Sequence, residues 1–420
     1  MQKSQVKSLS YLMWLLPTFF FSFQFILRLW PGLMMDNITQ QFAISATGFG
    51  LLASAYYWGY ALIQIPLALL LDRYGPKYLL FISATICGLA SILFSYTDNL
   101  YLALLSRFLI GIGSAAGFLT TSKVISQWFP RNSYSQMVGL SFALGLAGAV
   151  YGGRPINNLV VSSGYINVSV WLGITSIVIG LFSLFLLKNK GNHESTITES
   201  LKFKDLVVLL TSPTVCLLAL ANLLMVGSLE GFADVWGVNY LMSAHGLEKG
   251  DAAGITSFIF IGMVFGGPVL AFIGNYFGKY KTIMCCGFGM AIICCIIFYT
   301  GIEYNYYLFA TIFTFIGILC CYQVLMFSVG NDLVNARLLG IIIALLNCVN
   351  MLGGSFFHSI IGKLMDVFWL GEFGSDGTTR LYEVVNYSYA LSIIPACSLI
   401  GALLVWYVEC KYKKGIILKI

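Results

Sequence analysis

Among the charged residues that fall inside otherwise apolar stretches of the chain are Arg28, Arg107, Arg154, Glu230 and Asp234. An isolated charge is costly to hold in an apolar medium, so such residues face a partner or a wetted cavity. Arg28, in Phe25-Ile-Leu-Arg28-Leu-Trp30-Pro31, offers a planar guanidinium that can grip a carboxylate through two parallel hydrogen bonds. Glu230 and Asp234 can hold an ammonium group or carry a proton. Together these groups suit a small zwitterion, although Arg28 and Glu230 could equally pair with each other. Tyr56, Tyr57, Tyr60 and Trp236 supply aromatic walls, and Asn347 and Asn350 supply amides. Aromatics and amides in such helices more often serve packing and interhelical hydrogen bonds. His358 can titrate near neutrality, but a satisfied histidine on an apolar face is the commoner reading. Arg154, beside Pro155, either lines a cavity or snorkels, and Lys123 is expected to snorkel.

Chemistry of other kinds has no foothold. There is no GxxxxGK phosphate loop, and no nucleophile–base set lies at an apolar–polar boundary. Ten of the 11 cysteines follow residue 200, mostly in apolar runs such as Cys285-Cys286 and Cys320-Cys321. Neither disulfide nor zinc spacing occurs, so they read as small apolar fillers, and no cofactor or metal is expected.

The elements that must position these residues are membrane helices. Only 10% of the 420 residues are charged, 59% are apolar, and the mean hydropathy is +0.86. A soluble surface carries roughly 25% charge, so the solvent here is largely lipid. Apolar stretches of spanning length lie near 11–34, 47–70, 78–97, 101–129, 134–160 and 166–188. Six more lie near 213–241, 251–274, 282–300, 305–328, 338–367 and 387–408. The polar stretch 188–205 between the sets reads as a central loop, separating bundles at 1–187 and 206–420. The start, MQKSQVKSLS, is polar, and the apolar run after it is too long for a secretory signal core.

With the N-terminus inside, 17 of the 23 lysines and arginines fall on the inner side, and the outer loops hold only Lys249 and Arg380, with Lys363 near an outer helix end. Both termini are therefore expected to be cytoplasmic. The net charge of +6 follows from that asymmetry rather than from a nucleic-acid surface. The halves also echo each other. Ala68-Leu-Leu-Leu-Asp72-Arg73-Tyr74-Gly75-Pro76-Lys77 is matched 203 positions later by Ala271-Phe-Ile-Gly-Asn275-Tyr276-Phe277-Gly278-Lys279, and Gly59 by Gly262. At the same offset Arg28 maps to position 231, next to Glu230, which puts the two at similar depth on related helices flanking a cavity. Parallel six-helix repeats are a transporter arrangement with the site between the halves.

Asp72-Arg73-Tyr74-Gly75-Pro76-Lys77 resembles the loop 2–3 signature of the major facilitator superfamily. Ala68 stands where that pattern has glycine, Pro76 where it has a basic residue, and Asn275 replaces the acid in the second copy. Arg107-Phe-Leu-Ile-Gly111-Ile-Gly113 is similar to its helix 4 signature. Trp128-Phe129-Pro130-Arg131 resembles a turn of its organic-anion and phagosomal-nutrient branches, and the lysosomal dipeptide branch is similar in pattern. The helix 1 position of Arg28 resembles that of a phosphate-binding arginine in organophosphate–phosphate antiporters, but their helix 7 arginine is absent. Gly148-Ala-Val-Tyr-Gly152-Gly153-Arg154-Pro155 lacks the Gly-Pro pair of drug antiporters, which favours import.

The resemblance implies an all-α fold of twelve spans in two six-helix bundles. It gives Asp72, Arg73, Gly75, Lys77 and Arg107 roles in conformational switching or in organising their helices. The reading is a monomeric secondary importer in a bacterial inner membrane, moving an amino acid or short peptide, driven by the proton gradient or by the substrate gradient alone. An organic anion, phosphate ester or carboxylate siderophore, held by Arg28 and Arg154 with Glu230 as proton carrier, is the first alternative. A membrane sensor that binds without transporting is the second.

Overall fold

A computed structural model describes residues 2–189, 203–335, 338–374 and 380–413; the greater part of the expected central loop, 190–202, lies outside them. Among the described residues the chain is helical, and a single bridge, Phe373 with Arg380, is the nearest thing to a strand. Eleven helical stretches are long and apolar enough to cross a membrane. The longest, Ala46–Tyr96, has 51 residues. At 1.5 Å per residue it would measure roughly 75 Å, more than twice the ~30 Å hydrocarbon core. It breaks at Gly75, where φ is 78° and ψ 167°. That backbone suits only glycine, so the stretch is two spans joined by a tight turn.

The described residues thus give twelve crossings: α1 (Ser8–Leu33), α2 (46–74), α3 (76–96), α4 (Leu100–Trp128), α5 (Gln136–Ser163) and α6 (Tyr165–Leu186), then α7 (Pro213–His245), α8 (Lys249–Phe277), α9 (Lys279–Tyr299), α10 (Tyr306–Asp332), α11 (Leu339–Val367) and α12 (Val384–Lys411). Many large apolar side chains on these helices, such as Phe185, Phe272 and Tyr307, are exposed, as a lipid-facing surface requires.

The helices group into two compact units. Residues 1–37 and 55–196 form the first; residues 38–54 and 197–420 form the second. The opening turns of α2 therefore pack with the second unit, although in sequence they precede most of the first.

Each unit is held by glycines at close helix crossings. In the first, a Cβ on Gly59 of α2 would stand 2.0 Å from the Phe108 carbonyl oxygen of α4, and one on Gly111 would stand 1.9 Å from that of Tyr56. The second unit repeats the pair: a Cβ on Gly262 of α8 would stand 2.0 Å from the Thr314 oxygen, and one on Gly317 of α10 would stand 1.9 Å from that of Ile259. The Gly59–Gly262 match in sequence is thus a match in packing. Membrane helices lack a hydrophobic drive to associate and rely on such close backbone approach.

Candidate functional site in the first unit and its counterpart in the second

Arg28 and Arg107 both lie buried in the first unit, and one proline explains how they are arranged. Pro31 sits inside α1 and has no N–H, so the carbonyl four residues back, that of Leu27, loses its helical partner. Arg107 of α4 takes that place: its Nη1 donates to the Leu27 oxygen at 2.8 Å, and Nη2 reaches the Arg28 oxygen at 3.5 Å. The Arg107 guanidinium stands 5.1 Å from the Tyr56 ring centre and 5.7 Å from that of Trp30. Its Nε has no hydrogen-bond partner. Arg107 is committed to α1, which sets the position of Arg28.

The Arg28 side chain lies 5.4 Å from the Tyr57 ring centre and 5.6 Å from that of Phe25. Tyr56 donates its hydroxyl to Gln24 Oε1 at 2.8 Å and stacks against Tyr57 and Tyr60. Tyr56, Tyr57 and Tyr60 are all buried. The first unit therefore presents a buried cation in an aromatic and amide setting. Ring faces beside a guanidinium attract it through cation–π contact.

In the second unit, α7 departs from α-helical form. Gly227–Trp236 is π-helical, and all ten of its residues, Glu230, Asp234 and Trp236 among them, are buried. Gly227 and Gly231 let the wide turn lie against Phe357 of α11; a Cβ on Gly227 would stand 2.6 Å from its ring. Glu230 lies within electrostatic reach of Cys320 and Tyr322, where α10 breaks at Cys321. Tyr322 donates its hydroxyl to the Asn222 carbonyl at 3.0 Å. Trp236 stacks edge-on against Phe49, and its indole N–H is buried without a partner. π turns are rare and cluster at functional sites.

The remaining candidates are placed separately. Arg154 is exposed, at the start of the helical segment Arg154–Ser163 that follows a break in α5. Asn347 is half-buried on α11, while Asn350 donates to Gln323 Oε1 at 3.3 Å. His358 is fully buried on α11. Asp72 accepts from Lys123 Nζ at 2.7 Å, inside the first unit, so Lys123 ends in an ion pair. Arg73 and Lys77 lie over the rings of Tyr74 and Tyr78. Asn189 brackets the Gly75 turn: its Oδ1 accepts from the Lys77 N–H and its Nδ2 donates to the Tyr74 oxygen. Where the second loop has Asn275 in place of an acid, Lys279 pairs instead with Asp332 at 2.6 Å. No group of three or more potential metal ligands occurs among the described residues.

One cluster has no antecedent in the sequence reading. Asp366, at the end of α11, accepts from Ser45, from the N–H and hydroxyl of Thr47, from Arg380 and from Tyr382. An acid ending an apolar stretch and a Ser-Ala-Thr opening another were its only signals.

A sequence model of the Major Facilitator Superfamily matches residues 14–358, most of the chain. The chain belongs to that superfamily. It is 27% identical over 164 residues to a probable sulfoacetate transporter of Cupriavidus necator, covering 38% of this chain and 37% of that protein. It is 27% identical over 178 residues to the probable galactarate/D-glucarate transporter GarP of Escherichia coli, covering 40% and 39%. It is 26% identical over 283 residues to a hexuronate transporter of Bacillus subtilis, covering 62% and 65%. In each case the match spans less than two thirds of the relative.

Among solved structures, a bacterial homologue of the human lysosomal transporter Spinster superposes with a TM-score of 0.77 at 17% identity, covering 96% of this chain and 97% of that one. A point mutant of the nucleoside transporter NupG does so at 0.78 and 13%, covering 94% and 99%. At these identities the likeness is one of fold. In its described residues the chain is thus an all-α, multi-pass membrane protein of major facilitator type.

Proposed function

We propose that this transporter carries a small organic anion, a carboxylate or sulfonate, by alternating access. The observation that carries the reading is the buried Arg28 guanidinium among Phe25 and Tyr57, with its helix anchored by Arg107. A guanidinium binds planar oxyanions through paired, charge-assisted hydrogen bonds, and burial makes each stronger than in water. The relatives named for sulfoacetate, galactarate or glucarate, and hexuronate support this cargo class. They lend no support to the amino-acid or peptide cargo favoured from sequence. Glu230, buried on the π turn of α7, serves as the coupling proton's carrier. The setting is a bacterial cytoplasmic membrane, with both termini cytoplasmic and a monomer as the working unit.

Purified protein in proteoliposomes should take up labelled D-glucarate or sulfoacetate when a proton gradient is imposed. Arg28→Lys should weaken uptake, because lysine keeps the charge but loses the paired geometry. Uptake of a dipeptide or amino acid with neither anion transported would overturn the reading. Glu230 and Asp234 keep that zwitterion reading in second place, as carboxylates able to hold an ammonium group. Binding of the anions without uptake would instead favour a sensor.

A further inference from the structure

Among the described residues, three buried amides of the second unit keep hydrogen-bonding capacity that no protein group uses. Asn222 of α7 donates its Nδ2 to the Leu346 carbonyl of α11 at 3.0 Å, and its Oδ1 has no partner. A carbonyl can only accept, so Asn222 must turn its NH2 to Leu346 and its oxygen away. Asn350 of α11 donates to Gln323 Oε1 of α10 at 3.3 Å, which leaves Asn350 Oδ1 and Gln323 Nε2 without partners. Whichever amide of that pair donates, one oxygen and one NH2 remain. Asn222 is wholly buried, and Asn350 is 2% exposed. An outlying fourth amide, Asn331, has a buried oxygen without a partner, eight residues beyond Gln323 on α10. Orphaned polar atoms are costly in an apolar interior, and ordered water is what normally satisfies them.

These amides lie on the way from Glu230 to one end of the helices. Tyr322 stands within electrostatic reach of Glu230 and donates its hydroxyl to the Asn222 carbonyl. Gln323 follows Tyr322 in α10, and Asn222 precedes Glu230 by eight residues, roughly 12 Å of helix. Asp332 ends α10 roughly 14 Å beyond Gln323, at its partly exposed pair with Lys279. In the proposed orientation that end is cytoplasmic. Around Glu230 the other titratable groups are Cys320 and Tyr322 of α10, Cys286 and Cys294 of α9, which lie within reach of Cys320, and Asp234 one turn on. From α11 comes His358, next in sequence to the Phe357 that packs on the π turn. Residues 252–274 of α8 and 393–408 of α12 hold no Asp, Glu, Lys, Arg or His. The amides, not a further charge, are what leads from Glu230 toward the cytoplasmic end.

We infer that Asn222, Gln323 and Asn350 hold a short file of water inside the second unit, through which the proton on Glu230 reaches the cytoplasm. The inference rests on the reading of Glu230 as proton carrier. Each amide offers water an acceptor or a donor, and water held in this way relays a proton along its hydrogen bonds. Each passage leaves Glu230 a carboxylate and delivers one proton at the far end. Proton and cargo thus leave by different routes.

Infrared spectroscopy of the full chain in liposomes tests the path. The carboxylic C=O band that disappears in Glu230→Gln reports protonated Glu230, and its isotope shift after a change to heavy water gives the rate of proton exchange. Asn350→Leu puts methyl groups where the amide stood and should slow that exchange about ten-fold or more. Asn350→Ser keeps a hydroxyl and leaves room for water, so it should slow exchange less. If Asn350→Leu does not fold, Gln323→Met carries the same expectation. A Glu230 band that exchanges at one rate in every variant would overturn the water file and leave Glu230 as the carrier. Absence of a Glu230 band at every pH would overturn both readings. A weaker affinity for the anion with unaltered exchange would give the amides to the cargo and overturn the file as well.

Discussion

Arg107 donates a hydrogen bond at 2.8 Å to the Leu27 carbonyl, the acceptor that Pro31 leaves free in α1. A helix-breaking residue on one span and a buried cation on another thus solve each other's problem. The proline orphans an acceptor, and the guanidinium needs one.

This pairing predicts a thermodynamic cycle. Arg107→Met should lower stability by about 1.5–3 kcal/mol, the worth of a hydrogen bond to a charged group. Pro31→Ala restores an N–H for Leu27, so the double variant should lose less than the sum of the two single ones. Thermal unfolding in detergent checks the coupling, and strict additivity would show that the two residues act independently.

The close crossings predict an asymmetry among glycines. Gly59→Ala and Gly262→Ala drive a methyl into a backbone oxygen 2.0 Å away, which should cost at least ~1–3 kcal/mol as overpacking. Gly139→Ala, exposed on α5 with nothing within 4 Å, should instead stabilise by up to ~1 kcal/mol through helix propensity. Melting temperatures of the three variants give the comparison.

Asp72 predicts a kinetic rather than a stability effect. Its pair with Lys123 is largely exposed, and such pairs contribute about 0–1 kcal/mol. Asp72→Asn should therefore leave the melting temperature nearly unchanged while slowing transport, with substrate affinity held within a few-fold. A large fall in affinity at an unchanged turnover rate would remove Asp72 from the switching machinery.

Glu230 predicts a split between exchange and accumulation. Glu230→Gln keeps the shape of the π turn and removes the titratable group. Counterflow of labelled anion should persist, while uptake driven by a proton gradient should fall to the level without one. Gradient-driven uptake retained in full would place the coupling proton elsewhere.

The orientation predicts a labelling pattern. Single-cysteine reporters at both termini and within 188–205 should be protected from an impermeant thiol reagent added outside, and reporters within 370–384 should react. Labelling of the central segment from outside would invert the topology.

Much of this protein was legible along the chain, because lipid imposes its rules locally. Every span must carry about 20 apolar residues and satisfy its own backbone, so the twelve crossings showed as apolar runs. The repeat showed because Gly59 and Gly262 each lie where an added Cβ would stand 2.0 Å from a neighbouring carbonyl oxygen, a demand only glycine meets. Gly75 was marked by a turn that needs a positive φ. What the sequence could not express was the destination of long side chains and of freed backbone groups. Nothing near Arg107 in the chain says that its guanidinium ends on Leu27, 80 positions away, and nothing near Asp366 names Thr47 as the N–H it caps. The π turn around Glu230 likewise depends on Phe357 of another helix, against which its glycines lie. Those choices belong to tertiary structure, because a charge or an orphaned acceptor inside a membrane takes whatever partner the packing brings within about 3 Å.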